Sequence, residues 1–193
     1  MIEQLALPEL VAGAGAALAG GAAILKKYGA ILLGEPDVET TVRNFIEQET
    51  DGTIPSSIPV KKEHLKETVA EEYGEEIVEE AYFLDGQYFT ASRHDFEQIR
   101  ALDVIENLPY RPARFDCENY AFLFQTIVAL VFGINTVGVV LDFEAGHAYN
   151  IIYTNGGNLK LYEPQGGEYV QIGDSLDGDE ESEYTLENSV VIF

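Results

Sequence analysis

One cysteine, one methionine and no tryptophan occur in 193 residues, and bases are scarce, with 11 Lys and Arg against 34 acids. A single thiol cannot close an internal disulfide, which excludes a secreted disulfide scaffold. A net charge of -23 repels phosphate backbones and anionic lipid faces, so nucleic acid leaves the set of expected partners. There is no GxGxxG loop, P-loop or CxxC pair, the short signatures of nucleotide and paired-thiol chemistry. What is present is a 46% hydrophobic, 11% aromatic chain, enough for a real core in one domain of ordinary size.

The acidity is not a tail. Residues 1–114 hold 21 acids and 10 bases, and residues 115–193 hold 13 acids and one base, Lys160. Self-repulsion on this scale weakens a fold unless salt screens it, so the composition predicts a high-salt, halophilic setting. The expected location is cytoplasmic or virion-associated: Glu3 precedes the first apolar run with no Lys or Arg, unlike a secretory signal.

Residues 1–34 read as a separate Ala/Gly-rich apolar segment. Leu10–Leu25 runs 16 residues without charge, or about 24 Å as a helix, short of a ~30 Å hydrocarbon core. Ala12, Ala16 and Gly20 would let another helix approach. Residues 5–33 are therefore expected to serve protein assembly, with membrane contact or a flexible arm as alternatives. The remainder, 35–193, divides into a helical part, 35–108, and a helix-and-sheet part, 109–193. Helices are predicted over 36–50, over 60–82 on the stripe Leu65, Val69, Ile77 and Tyr82, and from Ser92, where Ser-Arg-His-Asp forms a capping box. Asp116 caps a further apolar helix beginning CENYAFLF, with Asn119 as its weaker capping partner. Strands are predicted at Thr136–Asp142, Gly146–Thr154, Asn158–Glu163, Glu168–Ile172 and Ser189–Phe193. Helices followed by an antiparallel sheet of about five strands define an α+β class.

Cys117 falls in the first turn of its helix, where free N–H groups and the macrodipole favour a thiolate. His147 opens a strand between small neighbours, and Glu163 ends the next one. On a strand His147 shares a face with Tyr149, whereas Asn150 points the other way. An even turn at Gly156-Gly157 would pair Glu163 with Asn150, on the wrong face. An odd loop with a glycine bulge brings Glu163 onto the His147 face, and the odd loop is predicted. A thiol, an imidazole and a carboxylate so placed form the logic of an activated nucleophile.

FDCENYAFLF, GHAYNI and YEPQ resemble the motifs of papain-like cysteine peptidases. More narrowly, they are similar to the protease-like C-terminal domain of a mushroom agglutinin and its phage and archaeal-virus relatives. The resemblance spans roughly Tyr110 to Gln165. It implies a papain-like fold, with Cys117 as nucleophile, His147 as general base and Glu163 as the orienting residue. The Gln that such enzymes carry before the Cys is replaced here by Tyr110-Arg111-Pro112-Ala113-Arg114, so Gln165, Tyr110 and Asn150 are the candidate oxyanion or supporting residues. The expected function is a thiol hydrolase, a peptidase or amidase acting on a peptide or protein. The alternatives are transglutaminase-like acyl transfer and a structural or virion protein that keeps the fold. No cofactor or metal site is expected. Calcium, on which agglutinin-like relatives depend, has one acidic stretch to consider, Asp174–Glu183, which lacks EF-hand spacing. His64 and His94 read as solvated surface residues. The agglutinin's lectin module has no counterpart here.

Overall fold

The computed structural model describes residues 57–101, 105–176 and 179–193, all within one compact unit, Ile46–Phe193. The expectations for residues 5–33 and 36–50, and for Leu102, lie outside the described residues. Among the described residues no helix is long and apolar enough to cross a membrane.

Strand β1 (Ile58–Lys61) leads directly into helix α1 (Lys62–Tyr73), and a short helix α2 (Glu75–Glu79) follows. The single helix expected over 60–82 is thus corrected at both ends and in the middle. Gly74 adopts a φ of 106°, which ends α1 and lets the chain turn before α2. Val60 pairs with Tyr88 in a two-stranded ladder between β1 and β3 (Gln87–Thr90), and Ala81–Tyr82 forms strand β2. Helix α3 (Arg93–Ala101) starts as the sequence predicts, with Ser92 Oγ accepting the Asp95 N–H at 3.1 Å. Helix α4 (Cys117–Phe132) also matches its predicted span, and Asn119 Oδ1 accepts the Asp116 N–H at 3.2 Å.

The main sheet is built from β4 (Val137–Asp142), β5 (His147–Thr154), β6 (Asn158–Glu163), β7 (Glu168–Val170) and β10 (Ser189–Ile192). Its order is β2-β10-β4-β5-β6-β7, six strands rather than five. The added edge strand β2 runs parallel to β10, so the sheet is mixed, not wholly antiparallel. A two-residue strand leaves too short a pattern to read in sequence. Strands β8 (Ser175–Leu176) and β9 (Asp179–Glu183) pair separately.

The two faces of the sheet carry different layers. Helix α4 covers the face bearing Ala148 and Asn150. There Cys117 packs against Ala121, Val139 and Ala148, and Phe124 meets Tyr162 with ring centroids 4.7 Å apart. Asn150, fully buried, ties the layers together by donating to Ala121 O (3.0 Å) and Gly138 O (3.1 Å). Tyr149, Ile151 and Tyr153 point to the opposite face and join the larger core with Leu65 and Val69 of α1. Ridge-free backbone is needed at one place. A Cβ on Gly138 would sit 2.7 Å from Ile151 Cγ2 and 3.1 Å from the Phe193 ring. Gly138→Ala is therefore expected to overpack this core and cost about 1–3 kcal/mol. Urea unfolding followed by circular dichroism checks it, with a lower midpoint and an unchanged m-value expected.

Candidate functional site

The β5–β6 connection decides what His147 meets. Thr154 pairs with Asn158, leaving a three-residue loop of Asn155, Gly156 and Gly157, and both glycines have positive φ. The ladder then sets Asn150 opposite Tyr162, and its next step sets Glu163 opposite Tyr149, on the His147 face. His147 Nε2 and Glu163 Oε2 lie 2.6 Å apart, with side chains only 14% and 8% exposed. This short, shielded contact uses one ring nitrogen and leaves Nδ1 for a group on the other side.

Close to the ring lies the start of α4, where the Cys117 thiol reaches Glu118 Oε2 at 3.5 Å. Cys117 is half-buried, at a helix end whose first N–H groups have no partner within the helix. Burial works to lower the pKa of His147. Hydrogen bonding to Cys117 and Glu163, together with their charge, outweighs it and raises the pKa to about 9. The thiol and the imidazole thus approach each other although they belong to opposite faces of the sheet. His147 is the first residue of β5, so its ring sits at the sheet's end rather than over its middle.

Two residues that sequence reasoning missed hold this arrangement. Tyr184 donates to Glu163 Oε2 at 3.0 Å and sets its ring edge-on to His147, centroids 5.6 Å apart. Asp142, 1% exposed, ends β4 opposite His147 in the ladder. Its carboxylate accepts the Ala145 N–H (2.9 Å) in the turn before His147 and the Thr185 N–H (2.9 Å) beside Tyr184. An isolated Tyr after an acidic run carries no local signal. Asp142, an acid ending a buried strand, was visible as an anomaly of burial.

The candidate supporting residues do other things. Gln165 gives its backbone N–H to Glu163 Oε1 (2.8 Å), so it fixes the carboxylate through its main chain. Tyr110 is 48% exposed and neighbours Tyr120, whose pKa rises through burial and then through the charge of Tyr110. Asn150 lies in the interior between α4 and the sheet, as a cross-brace. Among the described residues no three His, Cys, Asp or Glu side chains converge as metal ligands. Residues 177 and 178 of the acidic stretch lie outside the described residues.

A family model described as the ricin-type beta-trefoil lectin C-terminal domain matches residues 58–178. The chain belongs to this family. Among solved structures, the chain is similar to one titled "PSL1a-E64 complex", at 20% identity and a TM-score of 0.50, covering 70% of this chain and 51% of that one. Another is Polyporus squamosus lectin bound to a human-type influenza-binding epitope, at 19% identity and a TM-score of 0.48, covering 70% and 49%. The chain thus spans about half the length of these structures. No curated protein matches it.

The charge on His147 has a thermodynamic sign. Its pKa in the folded domain exceeds the ordinary imidazole value of 6.5, so protonation stabilises the fold fully below that pH, and the contribution disappears as pH rises through about 9. The expected loss is on the order of 1–3 kcal/mol. Thermal melts between pH 6 and 10 check this. Glu163→Gln should flatten the dependence, and NMR titration should find its His147 pKa at least about one unit lower.

Proposed function

We propose that this domain is a papain-like thiol hydrolase, a peptidase or amidase acting through Cys117, His147 and Glu163. The observation that carries the reading is the 2.6 Å contact between His147 Nε2 and Glu163 Oε2, with Cys117 near enough to the ring to help hold its charge. A pKa near 9 keeps the imidazole protonated at neutral pH, ready to give its proton to a leaving group.

The reaction follows from those charges. The Cys117 thiolate attacks the carbonyl carbon of an amide, and the π pair moves to oxygen. The first N–H groups of α4, including that of Cys117, face the developing oxyanion. As the C–N bond breaks, the leaving amine takes the proton held on His147, giving an acyl-thioester. Water then attacks the thioester while His147 removes its proton, which releases the acid and restores the thiolate. Glu163, held by Tyr184 and the Gln165 N–H, keeps the ring oriented through both steps. An amine in place of water would make the same intermediate an acyl donor, the transglutaminase-like variant.

Iodoacetamide alkylation of Cys117 against pH, in molar salt, tests the proposal. A fast rate that persists below pH 7 and falls about tenfold or more in His147→Ala is expected for an activated thiol. E64, the compound named with the similar structure, should add once, at Cys117, and not to Cys117→Ser. A rate that rises only near pH 8.5, indifferent to His147, overturns the hydrolase and leaves a structural protein that keeps the fold.

A further inference from the structure

The thiol of Cys117, the first residue of α4, donates to the carboxylate of the next residue, with 3.5 Å between Sγ and Glu118 Oε2. The nearby imidazole cannot take this proton at neutral pH. Although burial opposes it, bonding to Cys117 and Glu163 keeps His147 charged up to about pH 9. An imidazolium has two donors and no acceptor. The thiol hydrogen is therefore left to the carboxylate that it reaches.

Glu118 is placed differently from the other acids near the site. Asp116 gives an oxygen to the Ala113 N–H (2.7 Å) and caps the third residue of the helix. Glu163 and Asp142 are buried, and each accepts from several donors. Glu118 is exposed, and among the described residues no base pairs with it. Of the elements that pack most against α4, β5 brings His147 as its one charged group, β4 brings Asp142, and the 3-10 turn Ile105–Asn107 brings Glu106. The cluster beside the sulfur, Ala121, Val139, Leu141 and Ala148, is apolar. An acid in the first turn also complements the helix field, but that role needs no contact with the sulfur.

A carboxylate at this place works against the nucleophile in two ways. Its oxygen stabilises the S–H form as an acceptor, and its charge opposes the charge that sulfur must carry to attack. Because Glu118 is exposed, dissolved ions reach it, and at 1 M salt the screening length falls to about 3 Å. We propose that Glu118 is a salt-sensitive brake on Cys117, one that holds the resting sulfur as a thiol and yields as ionic strength rises. The inference rests on the hydrolase reading for its catalytic meaning, whereas the contact between thiol and carboxylate stands without it.

The test compares the full chain as wild type, Glu118→Gln and Glu75→Gln, each alkylated with iodoacetamide at neutral pH in about 0.05 M and about 2 M sodium chloride. The reagent is neutral, so salt acts on the charge of the sulfur rather than on the encounter. Glu75 belongs to α2, which packs on α1, β2 and β10, and its variant controls for the loss of one unit of net charge. At low salt Glu118→Gln should react about fivefold faster than wild type, the effect of one unit charge about 4 Å away in water. Glu75→Gln should react as wild type does, and at high salt the wild type should close most of its gap to Glu118→Gln. A gain below about twofold, a gain matched by Glu75→Gln, or a gap that salt leaves untouched overturns the brake. A lower melting temperature with an unchanged rate assigns Glu118 to the helix alone and overturns it too. The same series in a His147→Ala background separates this inference from the hydrolase. A rate that falls without His147 but ignores Glu118 keeps the hydrolase and overturns the brake. A rate that ignores His147 but rises in Glu118→Gln supports the brake and overturns the hydrolase.

Discussion

The odd loop at Asn155-Gly156-Gly157 governs the chemistry available to this domain. A strand's side chains alternate, so one residue more or less in the connection moves every β6 side chain to the other face. With three residues Glu163 stands beside His147, whereas with two it would stand on the α4 side and the imidazole would lose its carboxylate. Both glycines occupy the left-handed region, which a β-branched residue could hold only with strain. The charge on His147, the burial of Glu163 and the service of Tyr184 and Gln165 all follow from that count.

Around this contact the domain spends much of its buried polarity. Asp142 accepts from the turn before His147 and from Thr185, and so joins the strand that delivers the imidazole to the segment that delivers Tyr184. Glu163 accepts from His147, Tyr184 and the Gln165 backbone. Buried acids so engaged are costly to leave unmet and rigid once met. The long apolar helix α4 adds no polar side chain to this cluster beyond its first turn. It supplies the sulfur, the N-terminal field and a packed back surface.

Much of this was legible in the chain. The strands β4 to β7 and β10 announced themselves through Val, Ile and Tyr clusters, and Asp116 marked the start of α4 to the residue. The alternation rule placed Asn150 away from His147, and the choice of loop parity placed Glu163 beside it. Other parts were hidden for physical reasons. Gly74 sits within an otherwise helical pattern, and only its φ of 106° shows that the helix stops there. Strand β2 has two residues and is defined by its partner β10, a contact remote in sequence. Tyr184 reaches Glu163 through tertiary structure alone, and Gln165 contributes a main-chain group that side-chain reasoning does not see.

The division of the proposed site between the two faces of one sheet has a consequence for how it is assembled. The sheet can assemble His147 with Glu163 by strand pairing alone, because both belong to neighbouring strands. The sulfur arrives by a different route, when α4 docks on the opposite face. A nascent or partly unravelled chain with an intact sheet would hold a charged imidazole but no nucleophile beside it, and would be chemically silent. On the proposed hydrolase reading, the docking of α4 is then the event that brings the thiol to its imidazole.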